Sequence, residues 1–127
     1  MTARLLLQLA ALFGGLGVAI GAFGAHALHD TLVKAGRLDT FETAVRYQFY
    51  HAVALLAIGT LWAARPELRG LGTTGGLWAG GIVVFSGSLY LLCFTGITKL
   101  GAVAPIGGLL LLGGWLSLLL AVRQVQA

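Results

Sequence analysis

The run Arg46-Tyr47-Gln48-Phe49-Tyr50-His51 leads straight into Ala52 to Ala64, which carries no charge at all. An amide, phenols and an imidazole at such a place are expensive in hydrocarbon unless other parts of the protein bond to them. This segment therefore reads as a membrane-crossing helix with a polar face, and the other segments as the walls that cover it. Tyr47 and Gln48 stand four and three residues before His51, so all three share one side of that helix.

The rest of the chain fits such a wall. Asp, Glu, Lys and Arg are absent from Leu5 to Ala25, Tyr47 to Ala64, Leu71 to Thr98 and Leu100 to Val122. Each stretch approaches or exceeds the roughly 20 residues that cross about 30 Å of hydrocarbon. In lipid the backbone must satisfy itself, so these stretches are helices. The expectation is an all-α integral membrane protein. It is an antiparallel bundle of four transmembrane helices over about 5–25, 44–64, 76–95 and 101–122, in a single domain of residues 1–127.

Charge excludes several roles. The formal net charge of +4 comes from isolated Lys and Arg at segment ends, the ordinary flanks of membrane spans, so no nucleic-acid partner is expected. The lone Cys93 reads as a small buried hydrophobe. Arg4, an apolar run and Ala25-His26-Ala27 imitate a secretory signal. The run is longer than the roughly 7–15 residues of a signal core and dense in glycine, so it reads as the first span.

Gly14, Gly17, Gly21 and Gly24 form one stripe on that span, where small residues let another backbone come close. The partner is either another helix of the same chain or a second copy. His26 to Asp39 connects the first two spans. Leu28, Leu32 and Val33 alternate there with His29, Asp30 and Lys34, which predicts a short interfacial helix ended by Gly36. Asp39 and Glu42 have capping-box spacing, so the second span should begin near Thr40 and stop at Arg65-Pro66. The third runs from Gly76 to Thr95. The fourth has Pro105 in its first turn, with Gly107, Gly108, Gly113 and Gly114 for close packing.

In an antiparallel bundle His26, Tyr47, Gln48, His51 and Tyr90 fall in one half, with Ser86 and Ser88 towards the centre. Trp62, Trp78 and Trp115 fall in the other half. The polar set is either a structural hydrogen-bond cluster, with His51 bonded to a serine hydroxyl or a carbonyl, or a pocket for a lipid headgroup, quinone or other small amphiphile. No span holds a carboxylate, so no Ser-His-acid set exists and no enzymatic activity is expected. His26 and His29 have helical spacing without a thiol beside them, so no metal and no cofactor is expected. Arg4, Arg65, Arg69 and Arg123 share one side of the membrane, and the acidic Asp30, Asp39 and Glu42 lie on the other. Both termini are expected in the cytoplasm.

Five motifs in order resemble a family of small membrane proteins, the YgdD/YwdK type (DUF-423). They are Gly21-Ala22-Phe23-Gly24-Ala25-His26, Tyr47-Gln48-Phe49-Tyr50-His51, Phe85-Ser86-Gly87-Ser88-Leu89-Tyr90, Pro105-Ile106-Gly107-Gly108 and Gly114-Trp115. The resemblance implies a single-domain, multi-span protein of bacterial inner membranes, with no established activity, cofactor or catalytic residue. The residues themselves favour a structural or accessory protein, whose polar half docks a partner or fixes helix register. Its partners would be the lipid bilayer and another membrane protein or a second copy.

Overall fold

Apolar runs with no neighbouring strand to bond to must close their hydrogen bonds within themselves, and the described residues contain only helices and turns. The structure, a computed structural model, describes residues 1–124. Its α-helices are α1 (Ala3–Ala25), α2 (His29–Lys34), α3 (Leu38–Ala64), α4 (Leu71–Thr95) and α5 (Ala104–Ala121). A 3₁₀ turn at Thr98–Ala102 precedes α5, and another at Val122–Gln124 follows it.

Local chemistry sets most boundaries. The Thr2 hydroxyl accepts from the Leu5 N–H and caps α1. Beyond α2, Gly36 takes φ +65°. Its N–H donates to the Val33 carbonyl and that of Arg37 to Leu32, the paired bonds of a Schellman ending. That ending leads directly into α3, which starts at Leu38 rather than near Thr40. Arg37 takes the cap position with no side-chain cap, so Asp39 and Glu42 do not form the expected box. Asp39 instead sits in the first turn, where its charge favours the positive end of the helix dipole.

α3 ends at Ala64, just before Arg65-Pro66. α4 starts at Leu71, ahead of the predicted Gly76. Leu71 is fully buried with Leu68 and Ala121, and Gly70 at φ +92° turns the chain into the helix. α5 keeps Pro105 in its first turn, while the 3₁₀ turn takes the place of the expected start near residue 101.

The sequence predicts four spans. Among the described residues, three segments are long and apolar enough to cross a membrane: Ala3–Ala25, Leu71–Thr95 and Thr98–Ala121. α3 is the longest helix at 27 residues, but Asp39, Glu42, Arg46, Gln48 and His51 dilute its apolarity. A short helix does join α1 to α3, with Leu32 buried and Val33 exposed.

α1 packs on α3, α3 on α4, and α4 on α5. Leu6 near the start of α1 meets Gly59 near the end of α3. Ala44 and Gln48 in the first half of α3 meet Ser86 and Tyr90 in the second half of α4. Gly107 of α5 lies against Phe85, and Gly114 against Trp78. Neighbouring long helices therefore run antiparallel. All four contribute to one core of Leu6, Ala10, Leu55, Ile58, Trp78, Ile82 and Leu111. The outside is as apolar as the inside: Leu109, Leu112 and Val18 are 69%, 66% and 63% exposed. Such a surface suits lipid rather than water.

Candidate functional site

Gln48 is the centre of the polar set. It is buried on α3, and its amide nitrogen donates to the Phe13 carbonyl of α1 at 2.8 Å. Its amide oxygen accepts from the Tyr90 hydroxyl of α4 at 2.9 Å. One side chain thus ties three helices. Gly17 lies beside this bond, where a Cβ would make ordinary contact with the Gln48 nitrogen at 3.5 Å and the Phe49 ring at 3.4 Å.

His51 lies one turn further on, buried between tryptophans. Trp115 Nε1 donates to His51 Nε2 at 3.1 Å, and His51 Nδ1 lies 2.8 Å from the Tyr47 carbonyl. An indole N–H can only donate and a carbonyl can only accept, so the proton sits on Nδ1 and the ring is neutral. Both ring nitrogens are committed inside the chain. Trp78 and Trp115 present their rings to the imidazole at centroid distances of 6.0 Å, and Trp78 Nε1 donates to the Leu111 carbonyl at 3.2 Å.

The serines also bond to backbone. Ser86 Oγ donates across to the Ala44 carbonyl at 2.7 Å, and Ser88 Oγ to Phe85 within its own helix at 3.0 Å. Tyr47 is 42% exposed, with its ring against Phe85 at 4.8 Å and stacked on His51. His26 ends α1, is exposed and joins none of these bonds. The structure thus brings together Gln48 with Tyr90 and Tyr47 with His51, and sets Ser86 and Ser88 on carbonyls nearby. It leaves His26 apart.

Of the glycines, Gly24 receives the Phe41 ring, Gly21 faces Val45, Gly107 faces the Phe85 backbone and Gly114 faces Trp78. Gly14 has open space where a Cβ would be. The sequence reading did not identify Trp115 and Trp78 as partners of the imidazole. Nor did it identify Arg37, whose guanidinium donates to the Leu92 carbonyl at the end of α4. Only the position of a cation just before one helix, level with the end of another, hinted at the latter.

The model of the family described as Protein of unknown function (DUF423) matches residues 20–108. The chain belongs to the DUF423 family. Among relatives, the UPF0382 membrane protein of Staphylococcus saprophyticus is 41% identical over 122 residues, covering 96% of this chain and 99% of its own. The UPF0382 membrane protein YwdK of Bacillus subtilis is 40% identical, covering 84% and 85%. The UPF0382 inner membrane protein YgdD of Escherichia coli is 37% identical, covering 99% and 95%. No solved structure is similar to the chain. The DUF423 match takes in the glycines from Gly21 to Gly108, the whole of α3 and the Ser86–Tyr90 segment. The chain is a small membrane protein of unestablished activity, like these relatives.

Proposed function

We propose that the chain is a structural or accessory protein of the bacterial inner membrane, with α3 as a fourth span and both termini in the cytoplasm. The observation that carries this reading is the closure of the polar interior. Among the described residues, no buried side-chain nitrogen or oxygen lacks a hydrogen-bond partner, and His51 has spent both of its nitrogens. A site for a ligand or reaction keeps donors and acceptors aimed at a space. Here Gln48, His51, Ser86 and Tyr90 bond to other parts of the chain, which favours a brace over a pocket for a lipid or quinone. Ser86 and Ser88 donate to carbonyls rather than to His51, so the arrangement also favours no enzymatic role.

The same closure supports α3 as a crossing helix. Gln48 and His51 turn inward and are covered by α1, α4 and α5, so they cost little in lipid. The inner-membrane location is supported by the name of the Escherichia coli relative. For orientation, Arg4, Arg65, Arg69 and Arg123 share an end with Glu67, while Arg37 at the opposite end turns inward to Leu92. Each end carries four basic residues, and Asp30, Asp39 and Glu42 at the opposite end leave the first the more positive, which favours it as the cytoplasmic end. An accessory role places its partner, another membrane protein or a second copy, against the apolar outer face.

Reporter fusions at Gly36, Arg69 and Lys99 should report outside, inside and outside in turn. The same side at Gly36 and Arg69 would mean that α3 does not cross. For the closed interior, His51→Ala should lower the melting midpoint in detergent and leave any non-protein mass retained in native mass spectrometry unchanged. A retained mass lost in that variant would refute the brace.

A further inference from the structure

The outer face carries several grooves, and one of them differs in charge. It lies between the first turns of α4 and the last turns of α5, has a volume of about 430 Å³, and is lined by Arg69, Thr73, Gly113, Leu116, Ser117 and Leu120 among others. Leu116 and Leu120 are 59% and 51% exposed and stand one helical turn apart along the wall. Arg69 and Thr73 line the groove where the chain enters α4. The groove thus has a cation and a hydroxyl at headgroup depth and aliphatic walls at acyl depth. We propose that this groove holds an anionic phospholipid, with the phosphate at Arg69 and Thr73 and one acyl chain along Leu116 and Leu120.

Charge complementarity selects this occupant. Arg4, Arg65 and Arg123 lie at the same end of the bundle, with Glu67 as the acidic residue among them. Glu67 is already bonded to Arg65, whose guanidinium holds its carboxyl below the usual range. The first turn of α4 opens from Gly70 without a side-chain cap, so its dipole adds to the same field. Arg69 has five N–H donors, enough for a phosphate besides any bond it makes within the chain. A groove at the other end, lined by Gly21, Gly24, Val45 and Arg46, also has Glu42 in its wall. That carboxylate lies 3.1 Å from Arg46 and opposes a phosphate there. Basic recesses between helices on the cytoplasmic side are a recurrent form of anionic headgroup site.

The inference rests on the proposed function only for which membrane face the groove meets, and α3 need not cross for it to hold. The reporter fusions test α3, and lipid retention tests the groove. The full chain in mild detergent would be offered equal phosphatidylglycerol and phosphatidylcholine and weighed by native mass spectrometry. Phosphatidylglycerol should be retained preferentially. Arg69→Gln should lower its retention about fivefold, the factor expected for one basic side chain at an anionic surface, and Arg69→Lys should recover most of it. Gly113→Leu should reduce retention of both lipids. Its Cβ meets only Leu77 at 3.8 Å, so the helices stay in place while the longer side chain fills the groove, and it carries the test if Arg69→Gln fails to fold. Arg46→Gln should leave the preference unchanged. Equal retention of the two lipids by the unaltered chain would overturn the inference. So would undiminished retention in folded Arg69→Gln or Gly113→Leu, or loss of the preference on adding inorganic phosphate, which would indicate a free-anion site.

Discussion

Replacing Gly107 by alanine would force α5 away from α4. A Cβ there would lie 2.3 Å from the Phe85 nitrogen and 2.6 Å from its Cα. Both obstacles are backbone, so no rotamer change relieves the clash, and α5 would have to retreat by about 1 Å to restore ordinary contact. Overpacking of this size costs about 1–3 kcal/mol, and the absence of a yielding side chain places it at the upper end. Alanine recovers about 1 kcal/mol of helix preference over glycine. The net loss is therefore about 2 kcal/mol, which at roughly 4 °C per kcal/mol lowers the melting midpoint by about 8 °C. Gly14→Ala makes the same chemical change within a helix, but nothing lies within 4 Å of its Cβ. It should leave the midpoint unchanged or raise it slightly. Circular dichroism melts of both variants in one detergent make the comparison. A Gly107→Ala protein melting at or above the unaltered chain would refute the close approach of α4 and α5. Equal losses in the two variants would mean that the effect is not one of packing.

Two further outcomes follow from the interior bonds. Tyr90→Phe removes one bond and should cost about 0.6 kcal/mol, the average for such bonds in membranes. Gln48→Leu removes two and strands the hydroxyl, so it should cost more, and the double variant should be no worse than Gln48→Leu alone. Losses that simply add in a double-mutant cycle would show that Tyr90 does not depend on Gln48. Arg37→Gln withdraws a cation from the carboxyl end of α4 and should cost about 1 kcal/mol. The Gly96 amide, which shares the Leu92 carbonyl with Arg37, should then exchange faster with solvent. Unchanged exchange there would mean that the guanidinium does not hold that end.

Helix positions were largely legible because hydrocarbon leaves the backbone few choices. The charge-free run from Leu5 to Ala25 is nearly the whole of α1, and Arg65-Pro66 ends α3 as its chemistry requires. The glycine-rich segment before Gly76 was not legible as helix, since Leu71 enters α4 by burial against Leu68 and against Ala121 at the far end of α5, a contact that no local pattern records. The polar set was legible as residues more than as partners. Periodicity assigns a face and an approximate depth, and on that basis His26 and His51 belong to one half and Trp115 to the other. His51 is in fact near the middle of α3, because that helix extends back to Leu38. From there the long indole of Trp115 reaches it across the bundle. Where a long side chain points is fixed by contacts between helices, and no spacing within one helix records it.

The interior bonds have a larger effect on which packing forms than on how stable it is. Each native bond contributes only about 0.6 kcal/mol, a small share of what holds the helices together. Consider instead a bundle in which α3 is rotated by one residue, about 100°. Gln48 and His51 would then face acyl chains or the wrong neighbours, and an unbonded amide or imidazole in hydrocarbon costs several kcal/mol. Gln48 reaches α1 and α4, Ser86 reaches α3, and Trp115 of α5 reaches His51. Each long helix is thus tied to α3 at a specific register. With leucines inside and out, apolar contact alone distinguishes poorly between packings. The penalty for displacing these few polar groups supplies the missing discrimination.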